Sequence, residues 1–130
     1  MKKLLLLPLL MITFFCFAQD AKVIIGKPVK IGNLLVAQND FPEAMNWDDA
    51  KEACRALGKG WRLPSKTELN ILHKNRKKIG AYTDEDSLSS YWSSTVFNLN
   101  FAWGQWFSNG LQSEYFSKST RYSVRAVRNF

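Results

Sequence analysis

Groups able to do covalent or acid–base chemistry are few in this sequence and poorly spaced for it. The chain has one histidine, His73, and two cysteines: Cys16 in an apolar N-terminal run and Cys54 in the body. Acyl transfer asks for a nucleophile, an imidazole beside it, an acid that orients the imidazole, and N–H groups facing the oxyanion. His73 and one of the many serines can be written into such a set, yet no Gly-x-Ser-x-Gly turn accompanies them, so His73 is read as a surface residue. Redox or copper chemistry through paired thiols is closed beyond residue 18, where only Cys54 remains. No His pair or second cysteine is present to hold zinc, and the acids of the Thr83 to Ser90 stretch read as a surface loop needing no function, so no metal or other cofactor is expected. Cys54 reads as a small, inert core residue.

What the sequence supplies instead is the chemistry of recognition. Asn98, Asn100, Trp106, Asn109, Gln112, Glu114, Tyr115 and Tyr122 fall within the stretch Phe97 to Tyr122. Rigid aromatic rings give contact area at small entropic cost, and amides and hydroxyls adapt their hydrogen bonds to what they meet. These residues form the candidate ligand-binding set. Period-two alternation from Trp103 puts Trp103, Gln105 and Phe107 on one face and Gly104, Trp106 and Ser108 on the other; with Trp103 in the core, Trp106 faces out. A second reading stands beside this one, in which Trp106 and Tyr115 pack under neighbouring loops and the Asn and Ser residues only form turns.

Those side chains need elements to position them. Val23 to Gln38 alternates apolar with small or polar residues, punctuated by Gly26, Pro28, Gly32 and Asn33, and predicts an N-terminal hairpin. Trp47, Ala50, Ala53, Cys54 and Leu57 recur at helical spacing behind Asn46 or Asp48 as N-cap, so a first helix runs to Gly58. Pro64 forbids continuation, while Ser65 with Glu68 is a capping box opening a second helix with Leu69, Ile71 and Leu72 on its buried stripe. That helix is expected to fray near Lys78 and Gly80, and the acidic, serine-rich Thr83 to Ser90 to be a surface loop. Tyr91 to Ser94, Ala102 to Phe107 and Tyr122 to Arg128 read as strands. The pattern is that of an α+β domain with two helices on one antiparallel sheet system.

Lys2 and Lys3 precede an unbroken apolar run from Leu4 to Phe15, too short to span a bilayer and suited to a signal peptide cleaved after Ala18. Residues 19–130 then form the exported domain, in a periplasm, at the cell surface or secreted, with no integral membrane segment left. Removing Lys2 and Lys3 from a net charge of +7 leaves +5, because the acids begin at Asp20. The basic run His73 to Lys78 reads as a solvated helix end rather than a nucleic-acid site. Six Phe, five Trp and four Tyr after residue 18 give about 110 residues enough apolar area for a core without a disulfide.

A set of motifs now appears in order: Asn46-Trp47-Asp48-Asp49-Ala50, Ala53-Cys54, Leu57-Gly58, Gly60-Trp61-Arg62-Leu63-Pro64-Ser65, Glu68-Leu69, Tyr91-Trp92-Ser93-Ser94-Thr95, Ala102-Trp103, Phe107, Gly110 and Val124-Arg125-Ala126-Val127-Arg128. With these the chain resembles the Lcl-type C-terminal domain family of bacterial surface and secreted proteins, a domain of unknown function. The resemblance implies a C-type-lectin-like fold over nearly everything after residue 18: an N-terminal hairpin, two helices, then antiparallel strands with long loops. Members often carry a cysteine in the middle of the last motif, apparently paired with the first-helix cysteine. Ala126 stands there, which implies that Cys54 is unpaired. The Arg-Leu-Pro-Ser piece is also similar to the formylglycine-generating enzymes, whose cysteine chemistry one Cys cannot supply. The calcium-binding triplets of sugar-binding C-type lectins, Glu-Pro-Asn and Trp-Asn-Asp, are absent. The resemblance places a binding surface in the second half of the chain. The function expected is non-enzymatic recognition of an extracellular protein or glycan; the alternative is a structural envelope module. Arg125 and Arg128 are expected to pair with Asp48, Asp49 or Glu52.

Overall fold

The computed structural model describes residues 20–81 and 89–130. The expected signal peptide and most of the expected loop after Thr83 lie outside these residues. Residues 20–25 are helical (α1), closed where the Gly26 N–H donates to the Lys22 carbonyl. The hairpin expected from Val23 is therefore shorter: Val23 to Ile25 belong to α1, and the strands are β1, Val29–Ile31, and β2, Leu34–Val36. Ile31 pairs with Leu34 across the two-residue turn, where Gly32 takes φ +57°, a conformation that favours glycine.

Both sequence-read helices form as their caps dictate. Helix α2, Trp47–Ala56, starts where the Asn46 side chain accepts from the Asp49 N–H, and Trp47, Ala50 and Cys54 are its buried stripe. Helix α3, Lys66–Lys74, opens with the full Ser65–Glu68 capping box and buries Leu69 and Leu72. It ends at Lys74, earlier than expected. Asn75 caps it, and turns carry the chain on to Gly80, burying Ile79.

The remaining strands are β3, Ser90–Val96; β4, Phe101–Trp106; β5, Gln112–Ser117; and β6, Val127–Asn129. Two antiparallel sheets result, β1-β2-β6 and β3-β4-β5. Two expectations need correction. Strand β5 was not anticipated, because Gln-Ser-Glu-Tyr-Phe-Ser has neither β-branched residues nor clean alternation. Tyr122 to Arg128 is not one strand, because its hydrogen bonds go to several neighbours in turn. Tyr122 pairs with Met45, the Ser123 N–H donates to Ser90, the Val124 carbonyl accepts from Phe41 and that of Ala126 from Ala37.

The β3-β4-β5 sheet divides the core. Consecutive residues Tyr91 and Trp92 point to opposite sides, as strand geometry requires. On one side Trp92, Ala102 and Phe116 pack with Trp47, Ala50 and Cys54 of α2 and with Trp61 and Leu63. On the other, Tyr91 and Phe107 pack with Leu69 and Leu72 of α3 and with Ile31, Leu34, Val36 and Val127 of the small sheet. Burying such a side chain contributes about 1.5–3 kcal/mol. Buried indoles find acceptors: Trp47 Nε1 donates to the Ser93 carbonyl at 2.9 Å and Trp92 Nε1 to that of Met45 at 2.8 Å.

Arg125 does not reach Asp48, Asp49 or Glu52. It is 2 % exposed and donates to Asp40 Oδ1 at 2.5 Å and to the carbonyls of Ala37 and Ile79 at 3.1 and 2.8 Å. The Tyr91 hydroxyl donates to the other Asp40 oxygen. This network ties the last motif to the segment after β2 and to the turn after α3. Arg128 remains exposed and lies along Gly60.

Candidate functional site

The α3 side of the β3-β4-β5 sheet changes character along its length. Where α3 covers it, the polar groups are turned inward. Gln105 is fully buried and its Nε2 donates to Asn70 Oδ1 and the Gly110 carbonyl, both at 3.0 Å. Gln112 Nε2 donates to the Lys66 carbonyl at 2.6 Å and to Gln105 Oε1 at 3.2 Å. At the start of α3 the cover stops. Thr95 Oγ1 accepts from the Lys66 N–H at 2.9 Å, and Lys66 Nζ lies 3.8 Å above the Trp103 ring. Phe101 follows two residues before Trp103 on the same strand face. Its ring meets Tyr115 at 5.9 Å and 84°, and Tyr115 meets Phe97 at 5.6 Å and 75°, both edge-to-face.

This aromatic cluster borders the turn from β3 to β4. Asn98 Oδ1 accepts from the N–H groups of Asn100 and Phe101 at 2.9 and 3.0 Å. From outside, Lys118 Nζ donates to the carbonyls of Asn98 and Leu99 at 2.8 and 3.1 Å while lying 4.5 Å above the Trp47 ring. The Lys118 carbonyl in turn accepts from the Trp47 N–H, so the turn is braced against the start of α2. Leu99 stands at its tip, 87 % exposed, with Val96 at 50 %, Phe97 at 47 % and Tyr115 at 63 % beside it.

The candidate residues thus divide. Tyr115 and Asn100 are exposed, Glu114 is half-buried, and Trp106 is 38 % exposed with its ring 4.9 Å from Phe116. Trp103 and Trp106 leave β4 on opposite faces and both are partly covered, Trp103 by Lys66 and Trp106 by Phe116. Asn98 shapes one turn and Asn109, whose Oδ1 accepts from the Leu111 N–H at 2.9 Å, shapes the other. Gln112 and Tyr122 are directed inward; the Tyr122 ring stacks between Trp92 and Phe116 at 4.8 and 4.5 Å. Phe97, Leu99, Phe101 and Val96 were not among the named candidates. The available signal was apolar side chains in an Asn-rich turn, within a stretch from Ser87 to Ser113 that carries no formal charge.

Titratable groups elsewhere have packing explanations. Burial pushes the Cys54 thiol up to about 12, leaving it protonated and a poor nucleophile. His73 is half-buried against the Phe107 ring at 5.2 Å, and burial followed by the nearby Arg76 charge lowers its pKa. Glu68 is held down to about 2, chiefly by its hydrogen bonds from Arg62. No group of three or more metal-ligating side chains occurs among the described residues, nor any helix long and apolar enough to cross a membrane. A mainly apolar groove of about 710 Å³ runs between α1, the Asn39 to Met45 loop and the end of α2.

Comparison with known proteins agrees with this architecture. The family model described as the Lcl C-terminal domain matches residues 29–128. The crystal structure of the snake-venom protein botrocetin superposes with a TM-score of 0.59 at 14% identity, covering 81% of this chain and 98% of botrocetin. That of EMS16, an antagonist of the collagen receptor integrin alpha2beta1, gives 0.50 at 16% identity, covering 79% of this chain and 97% of EMS16. At these identities the likeness shows the fold: α+β and C-type-lectin-like. No curated protein sequence matches the chain.

Proposed function

This chain belongs to the Lcl C-terminal domain family, and from that premise we propose that it is an exported, non-enzymatic binding domain that recognises an extracytoplasmic protein or glycan through strands β3 to β5 and their turns. The observation that carries the reading is the Phe97–Tyr115–Phe101 cluster, with Phe97 and Tyr115 exposed over a half-buried Phe101 beside a turn fixed by Asn98 and Lys118. Folding alone gives no reason to hold large apolar side chains in water on a rigid support, whereas recognition does. EMS16, on the same kind of fold, is described as an antagonist of a protein receptor. No convergent set of nucleophile, base and oxyanion donors competes with this reading among the described residues.

Export follows from the N-terminal sequence, and its test is direct. N-terminal sequencing of the extracytoplasmic protein should begin at Gln19; uncleaved protein retained in the cytoplasm would contradict it. Recognition is tested by applying the purified chain to glycan and envelope-protein arrays with and without calcium, alongside Tyr115→Ala and Trp106→Ala. The expected result is a calcium-independent ligand lost in Tyr115→Ala. No ligand for the folded protein on either array would favour a structural envelope module.

A further inference from the structure

The expected start of the exported chain carries chemistry of its own. Cleavage after Ala18 leaves Gln19 as the first residue, directly before Asp20, where α1 begins. A terminal glutamine holds a free α-amine and a side-chain carboxamide at the spacing that closes a five-membered lactam; asparagine there would need a strained four-membered ring. The α-amine titrates near about pH 8, so at neutral pH part of it is the unprotonated nucleophile. In the step, Nα attacks Cδ, the Nα–Cδ bond forms and the Cδ–Nε2 bond breaks. The leaving nitrogen takes up the protons shed by the α-ammonium and departs as ammonium, so the chain loses one positive charge. No oxidant, reductant or other co-reactant enters.

The fold gives this end of the chain both access and something to protect. Asp20, Lys22 and Val23 are exposed, so the chain enters α1 at the surface. From Val23 onward α1 is tied to the fold: the Val23 carbonyl accepts from Asn39 Nδ2 at 2.8 Å, that of Ile24 from the Asn39 N–H at 3.1 Å and that of Ile25 from the Gln38 N–H at 3.0 Å. Ile24, five positions after Gln19, is buried in the core with Ala37, Trp47 and Trp61. Exposed chain ends are where exopeptidases work, and one starting from a free amine at Gln19 would reach this core residue after five cuts. A closed lactam offers such an enzyme no α-amine to hold.

Resting on the export reading above, we infer that Gln19 of the cleaved chain is a modification site, closed to pyroglutamate, and that the ring guards the exposed end of α1. The test takes the protein from the extracytoplasmic fraction, with Gln19→Ala beside it, and reads the N-terminal peptides at once by tandem mass spectrometry. The expected peptide starts at residue 19 and, in most molecules, is lighter than its sequence by one ammonia. A general aminopeptidase should leave the folded protein whole, while a pyroglutamyl-specific peptidase should open it to Asp20. Gln19→Ala, exported in the same way, should be shortened by the general enzyme toward Val23. A free amine on Gln19, or a ring that grows only as the sample ages, would overturn the assignment while leaving export intact. A Gln19→Ala chain that resists trimming as well as the wild type would overturn the guarding role. Chains that begin at another residue would overturn the assignment together with the cleavage site.

Discussion

Charge is handled oppositely on the two sides of this molecule. On the side of the helices and the small sheet, charged groups are bonded into the fold. Arg62 grips Glu68 with two nitrogens and also reaches Asn129, and Arg125 is buried against Asp40 and two carbonyls. Strands β3 and β4 of the outer sheet carry no formal charge, and Val96, Phe97, Leu99 and, on β5, Tyr115 are among the apolar side chains exposed there. Asn98 and Asn109 fix its two turns, and Gln105, Gln112 and Thr95 bond to α3. The buried and bidentate charges thus hold the scaffold in register, whereas β3, β4 and their turn present uncharged side chains whose exposure the scaffold does not need.

The comparison can be broken most severely at Arg125. Arg125→Met leaves Asp40 with the Tyr91 hydroxyl alone and takes the donor from the Ala37 and Ile79 carbonyls, and urea unfolding should show a loss of about 3–5 kcal/mol. A smaller cost is expected at Gly104, where an added Cβ would lie 2.1 Å from Phe116 Cδ2. Gly104→Ala should destabilise by about 1–3 kcal/mol through overpacking, and an unchanged urea midpoint would show that the outer sheet is looser than its contacts imply.

Glu68→Gln keeps an oxygen for the capping box but removes the charge and the second acceptor for Arg62, so about 1 kcal/mol is expected at neutral pH. The sign of its pH dependence follows from the direction of the shift. Because the folded protein holds Glu68 at about 2 against an ordinary 4.5, its contribution is complete above about pH 4.5 and is lost as pH falls toward 2. Stability curves of the two proteins should therefore converge across that window. The smallest effect belongs to the β3–β4 turn: Leu99→Ser should alter stability by no more than about 0.5 kcal/mol, because that side chain is 87 % exposed. A large loss there would mean that Leu99 supports the fold, and the contrast between the two sides would fail.

The scaffold was far more legible in the sequence than the surface. Asn46, the Ser65–Glu68 pair, Pro64 and the apolar spacing of Trp47, Ala50 and Cys54 marked both helices, since caps and amphipathic stripes are local features. Tyr91 and Trp92 showed a strand but not that they serve two different cores. Strand β5 was hidden because its pairing with β4 is set by partners distant in sequence. The recognition residues were legible only by type. Asn98 and Asn109 read as ligand contacts from their chemistry, yet their side chains accept from turn N–H groups; Tyr122 read as exposed, yet stacks on Phe116. Only the folded register brings Tyr115 beside Phe97 and Phe101.

The most direct test of the account is to map the footprint of a bound ligand on the full chain by amide chemical-shift perturbation, using whichever array ligand binds best. The account predicts shifts concentrated at Val96 to Phe101 and Ser113 to Ser117. Shifts concentrated instead at His73 to Lys78, or around the groove at Phe41 and Met45, would contradict it.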